Sequence, residues 1–146
     1  MTKAGYRMAG LMQEEVERRW DEIEPALWAA LIENKVEDRC DLEAFRRAVR
    51  CGQAMVAQVT DGGDPVAWLG LEILPLREGG KSLHVRYLGG SRMRSWLAAL
   101  HHDLVKCARQ LGCDCVSLVG RRGWSRQLHG LGWKVGIVTM EARLNQ

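Results

Sequence analysis

From Leu11 to Asn34 the apolar positions recur at helical spacing. Val16, Trp20, Ile23, Leu27 and Leu31 lie four, three, four and four residues apart, which places them on one face. Pro25 falls inside this run and lacks the amide proton that a helix interior uses. The pattern therefore predicts a kink, or a second helix with Pro25 in its first turn. A polar stretch, Glu33–Arg39, follows. Asp41 is then suited to N-cap a short helix that turns Leu42, Phe45 and Val49 inward and ends at Gly52.

Beyond Gly52 the period drops to two. Ala54–Thr60 reads as a strand, and Asp61-Gly62-Gly63-Asp64 as a turn. In Pro65–Leu74, Trp68 faces one way while Ala67, Leu69, Leu71 and Ile73 face the other. Apolar residues on both faces mark a central strand covered on both sides. Ser82–Leu88 is a third strand. Gly89-Gly90-Ser91 then leads into the strongest helix, about Arg92 to Leu111, which Gly112 caps. Cys113–Val119 is a fourth strand, followed by a short helix carrying Trp124 and Leu128, a Gly130-Leu131-Gly132 break, and a final strand or pair within Trp133–Leu144.

Strand Ser82–Leu88, its helix and strand Cys113–Val119 form a β-α-β crossover, so those two strands should be parallel neighbours. The earlier strands form an antiparallel hairpin. The expected fold class is α/β in the broad sense, an α+β mixed sheet with helices on both faces. One domain spans 1–146, with N-terminal helices at about 11–52 and the sheet with its crossover helices at about 54–146.

Composition adds limits. At 146 residues, 47 % hydrophobic and 27 % charged, the chain matches one globular domain with a core of its own. The run Pro25–Ile32 is far short of the ~20 residues of a membrane span. Met1–Gly5 lacks the apolar segment of a secretory signal, so a soluble cytoplasmic protein is expected, with no membrane partner. A net charge of +3 is too mild to point to nucleic acid. Five scattered cysteines fit reduced thiols better than a disulfide framework.

The crossover brings Gly89–Arg94 and Gly120–Arg122 to the C-terminal ends of adjacent parallel strands, the edge where open α/β sheets bind ligands. Arg92, Arg94, Arg121, Arg122 and Arg126 could form a cationic mouth for a phosphate-bearing or acidic ligand, or be solvated charge on loop ends. Glu72 and His84 alternate on neighbouring strands. Either could serve as a general base, or simply face solvent. His101-His102 with Cys107, and Cys113-x-Cys115, lack the convergent second pair that zinc needs, so no metal is expected. Cys113 and Cys115 should be small core residues. Trp20, Trp68 and Trp96 hold packing positions. Trp28 lies off the main apolar face and Trp124 beside arginines, which suits both, with Arg126, to a protein partner.

The element order, with the closing segment Gly120-Arg121-Arg122-Gly123-Trp124-Ser125-Arg126-Gln127-Leu128-His129-Gly130-Leu131-Gly132-Trp133, resembles the GNAT (acyl-CoA N-acyltransferase) superfamily, and within it small GNAT-like proteins of phages and prophages. The resemblance implies a site for acetyl-coenzyme A where the central strand meets its helix, at a Q/R-x-x-G-x-G/A loop whose amides cradle the diphosphate. Here the junction reads Leu88-Gly89-Gly90-Ser91-Arg92-Met93-Arg94. Many members also place a tyrosine in the last helix as acid for the leaving thiol, and Leu128 stands at that register. The resemblance thus implies a degenerate member with no cofactor. It would act in the host cytoplasm or the virion, as an assembly component or a binding protein for phage or host proteins. The alternative is an active N-acetyltransferase. It would hold acetyl-coenzyme A through Gly89, Gly90, Ser91, Arg92, Arg94, Arg121 and Arg122, with His84 or Glu72 deprotonating the amine.

Overall fold

The computed structural model of the chain describes residues 5–33, 39–90, 93–118 and 128–133. In order these form β1 (Tyr6–Gly10), α1 (Gln13–Arg18), α2 (Trp20–Glu33), α3 (Arg39–Arg50), β2 (Ala54–Asp61), β3 (Asp64–Pro75), β4 (Lys81–Gly90), α4 (Met93–Gln110) and β5 (Cys115–Leu118). The strands make one sheet in the order β1-β2-β3-β4-β5. The first three junctions are antiparallel, and β4 pairs with β5 in parallel through the α4 crossover.

β3 is the central strand that its sequence anticipates. Val66 to Leu71 are buried without interruption, since each face meets its own layer of helix. On one face Ala67, Leu69 and Leu71 join Leu83, Val85 and Leu88 of β4 under Trp96, Leu97, Leu100 and Leu104 of α4. On the other, Trp68 and Tyr87 pack with Val16, Trp20, Ile23 and Leu27 from α1 and α2 and with Leu42, Phe45 and Val49 from α3. Trp20, Trp68 and Trp96 are all buried in these layers.

Three local expectations are corrected. The first helical run breaks at Arg19, not at Pro25. The Arg19 carbonyl accepts from the amides of Glu22 and Ile23 and so starts the α2 ladder. Its guanidinium donates to Glu15 at 3.1 Å and Glu22 at 3.0 Å while lying 5.2 Å from the Trp68 ring centroid. Pro25 lies exposed within α2, where it forfeits one hydrogen bond on the solvent side. Asp41 stands inside α3, which already includes Arg39, although Leu42, Phe45 and Val49 face inward as expected. Gly52 does end that helix, at φ +76. Cys115 opens β5 and is exposed; only Cys113 packs on the core, because the strand begins two residues later than its alternation suggests.

The structure also adds β1, which the apolar pattern does not announce. Only Tyr6 and Met8 alternate inward, and the strand is an edge whose outer face needs no hydrophobic residue. It is pinned to the opposite layer by the Asp103 carboxylate of α4, which accepts from the Met8 amide at 2.9 Å. The segment 134–146, where a closing strand or pair is expected, lies outside the described residues.

Candidate functional site

β4 changes phase in its middle. Gly70 of β3 faces Tyr87, and the next residue, Leu71, faces Val85, so Arg86 is an extra residue in β4. The side chains follow. Leu83 and Val85 share the α4 face with Leu88 rather than with Tyr87, which turns to the α1–α3 face. A bulge of this kind re-aims side chains and disturbs the neighbouring ladder.

Beside the bulge the sheet gathers polar groups from three strands. Glu72 of β3 lies opposite His84 of β4, which in turn lies beside Ser117 of β5. Arg86 Nη1 donates to Glu72 Oε1 at 2.9 Å. His84 Nδ1 is 2.8 Å from Ser117 Oγ, and Ser117 Oγ is 2.8 Å from Ser82 Oγ. His84 is half-buried. Burial is the main cause of its pKa falling below the usual imidazole value; Arg86 pushes the same way and Glu72 opposes. The imidazole is therefore neutral at pH 7, with one ring nitrogen tied to a hydroxyl. A neutral imidazole, an anchored carboxylate and a guanidinium at a break in the sheet can accept a proton from an amine and stabilise the charge that results.

The two candidate bases thus come together, and each has a partner. Gly89 and Gly90 close β4 opposite Trp68 and Ala67. A Cβ on Gly90 would lie 2.4 Å from the Val66 carbonyl oxygen, so β3 alone requires that glycine. The strand then feeds the N-terminus of α4, an 18-residue helix with no acidic residue in its first turn. Such an end fits the diphosphate of a coenzyme, because free amides and the helix dipole both favour negative charge. Ser91, Arg92, Arg121, Arg122, Trp124 and Arg126 lie outside the described residues, as does the side chain of Arg94. Trp28 is half-buried and packs against the α1–α3 layer. Leu128 is buried against α4 and cannot donate a proton.

Sequence reading misses Ser82, Arg86 and Ser117. Alternation puts Ser82 and Arg86 on the same strand face as His84, but only the parallel register brings Ser117 to them. His101, a candidate in the histidine–cysteine group, has its Nδ1 occupied by the Trp133 indole N–H at 2.8 Å. Among the described residues no helix is long and apolar enough to cross a membrane.

No protein-family model and no curated protein matches the chain. Solved structures do. One is described as a predicted acetyltransferase from Clostridium acetobutylicum with acetyl-CoA; it is 11% identical with a TM-score of 0.69, covering 94% of this chain and 96% of that one. The ribosomal-protein-alanine N-acetyltransferase of Brucella melitensis biovar Abortus 2308 is 15% identical with a TM-score of 0.66, covering 96% of this chain and 99% of that one. A GNAT family acetyltransferase from Staphylococcus aureus is 12% identical with a TM-score of 0.63, over 96% and 99%. Likeness at this identity carries architecture rather than chemistry. A mixed sheet whose parallel pair is joined by α4, with α1, α2 and α3 on the opposite face, is the fold of the GNAT acyl-CoA N-acyltransferases.

Proposed function

We propose that the protein is an acyl-CoA-dependent N-acyltransferase in which His84 is the general base. The observation that carries this reading is the half-buried, neutral His84 beside the β4 bulge, hydrogen-bonded through Nδ1 and opposite an anchored carboxylate. Acyl-coenzyme A would supply an activated thioester, held at the α4 N-terminus by Gly89, Gly90, Ser91, Arg92 and Arg94, with Arg121 and Arg122 from the neighbouring loop. The acceptor is a primary amine. As its nitrogen forms the C–N bond and the C–S bond breaks, His84 Nε2 takes the proton that the nitrogen loses. Glu72, held by Arg86, offsets the imidazolium charge across the strand pair. Leu128 leaves the thiolate to be protonated by solvent.

The buried Leu128 also favours a second reading, a GNAT-like protein without acyl transfer. It would serve as a phage virion or assembly component, or as an accessory factor that meets phage or host proteins through Trp124, Arg126 and Trp28. One experiment separates the two: thermal-shift titration with acetyl-coenzyme A, against uridine monophosphate as control, followed by a thiol-release screen of primary amines. Saturating ligand at ~100 times its dissociation constant stabilises a fold by about 2.7 kcal/mol. A saturable shift with amine-dependent thiol release supports the acyltransferase. A flat response, together with capture of a partner that Trp124→Ala abolishes, overturns it in favour of the binding protein.

A further inference from the structure

The hydroxyls of Ser117 and Ser82 reach His84 through hydrogen bonds that local sequence does not announce, and the acyltransferase reading leaves them without a role. Ser117 Oγ stands between His84 Nδ1 and Ser82 Oγ, 2.8 Å from each. Ser82 is buried. A hydroxyl can donate or accept, and so can a neutral imidazole nitrogen according to tautomer. The three groups therefore admit either ring tautomer. In one, Ser82 donates to Ser117 and Ser117 donates to Nδ1, which leaves the ring proton on Nε2. In the other, Nδ1–H donates to Ser117, whose hydroxyl either donates to Ser82 or accepts from it, and Nε2 is left as a free acceptor.

The two are not equivalent for chemistry. A ring protonated at Nε2 cannot take a proton from an amine there. Once a proton does arrive, both nitrogens carry hydrogen, and Ser117 must accept from Nδ1. Only the Nδ1–H tautomer starts and finishes this step without turning the Ser117 hydroxyl. It also gives the imidazolium a charge-assisted hydrogen bond, which is stronger than the neutral one it replaces. Among the described residues His84 Nε2 has no hydrogen-bond partner, so that nitrogen remains for the substrate.

We infer that Ser117, backed by Ser82, is a positioning residue that holds His84 in its Nδ1–H tautomer and stabilises the protonated ring, so that Nε2 is the atom that receives the amine proton. The inference rests on the acyltransferase reading for its consequence, but not for the tautomer itself. The charged groups that bear on the ring are Glu72 across the β3–β4 pair and Arg86 on β4. α2, which packs on β4, contributes apolar residues such as Ile23 and Leu27 to this face. Neither charged side chain is altered by a change at Ser117.

The test is nitrogen-15 NMR of the imidazoles in the full-length chain, with wild type, Ser117→Ala, Ser117→Thr and the near-isosteric Ser117→Cys, whose thiol is a poor acceptor. His84→Gln assigns the signal. At pH above the His84 transition, wild type and Ser117→Thr are expected to show the Nδ1–H tautomer. Ser117→Ala and Ser117→Cys are expected to show a mixture and to titrate at lower pH. If amine acetylation is present, its acid limb moves to lower pH in both and kcat falls about tenfold, which corresponds to one lost hydrogen bond of roughly 1.4 kcal/mol in the transition state. Ser117→Thr restores both. A wild-type Nε2–H tautomer overturns the inference, as does an unchanged titration in whichever of Ser117→Ala and Ser117→Cys folds. If the tautomer responds as stated but no amine is ever acetylated, the acyltransferase reading fails and the hydrogen-bond assignment stands.

Discussion

Replacing Gly70 with alanine would put a methyl group between two aromatic rings. Gly70 lies in the centre of β3, and its missing side chain is the space that Phe45 and Tyr87 occupy. An added Cβ would lie 2.5 Å from Tyr87 Cδ2 and 2.8 Å from Phe45 Cζ, distances that real Cβ atoms do not tolerate. The two rings already meet edge to face, with centroids 5.0 Å apart and planes at 84°, and both are almost fully buried. Neither can swing into solvent. One of them must leave its rotamer, or α3 must lift from the sheet. A clash with two buried rings sits at the upper end of forced overpacking, about 2–3 kcal/mol, and the smaller unfolded-state entropy of alanine returns roughly 0.4–1 kcal/mol of it, which leaves a net loss of about 1–2.5 kcal/mol. For a chain of this length that corresponds to a melting temperature lower by roughly 2–10 °C. Urea unfolding of Gly70→Ala should show a lower midpoint at unchanged slope. The penalty should shrink in a Phe45→Leu background, which clears part of the space. Because Tyr87 directly follows the bulged Arg86, the substitution also strains the strand that carries His84. A midpoint equal to wild type, or higher, would refute the packing of α3 on β3 as described.

Two further predictions concern charge. Glu17 accepts from Arg50 and Arg46, and these hydrogen bonds hold its carboxyl down at about 2, against an ordinary 4.5. A carboxyl with a depressed folded pKa stabilises the fold above its unfolded value and loses that contribution as pH falls toward 2. Glu17→Gln should therefore lower the urea midpoint at pH 7, and the gap to wild type should narrow steadily below pH 4.5; a gap independent of pH would contradict the ion pairs. His101 is held below the usual imidazole range mainly by burial, with His102 adding to the effect. Its Nδ1 must be unprotonated to accept the Trp133 indole N–H. The contribution of this contact is present above pH 6.5 and is lost as pH falls through the folded His101 value, so the Trp133 indole N–H resonance should shift below that pH in step with the His101 titration. An indole signal that ignores the titration would show that the bond is absent.

Much of the architecture is legible in the chain because burial imposes period. The two-sided run Val66–Leu71, the α4 stripe through Trp96, Leu100 and Leu104, and the inward triplet Leu42, Phe45 and Val49 all follow from side chains that must leave water. What escapes is set by forces that leave no period. β1 is held by its ladder to β2, by one carboxylate from α4 and by only two inward side chains, Tyr6 and Met8, too few to stand out as a period. At the helix break the Arg19 guanidinium is shared by two glutamates and a tryptophan that lies 49 positions later in the chain, a meeting no local period marks. The site is half legible for a related reason. His84 and Glu72 can be picked out as titratable groups on adjacent strands, and the register makes them opposite neighbours. Arg86 shares the His84 face by alternation, but Ser117 joins the site only through a parallel pairing across a helix of 18 residues, which no local pattern encodes.

The proposed acyl transfer turns on His84 taking the proton from an acceptor amine. The most direct test is the pH dependence of acetyl-coenzyme A turnover with a reactive primary amine, for wild type and for His84→Ala. Wild-type kcat/KM should rise with pH through an acid limb below the usual imidazole value, since burial lowers the His84 pKa. His84→Ala should lose that limb and roughly 100-fold or more of the rate, the scale of a positioned general base. A folded His84→Ala variant that keeps the wild-type rate and profile would contradict this role.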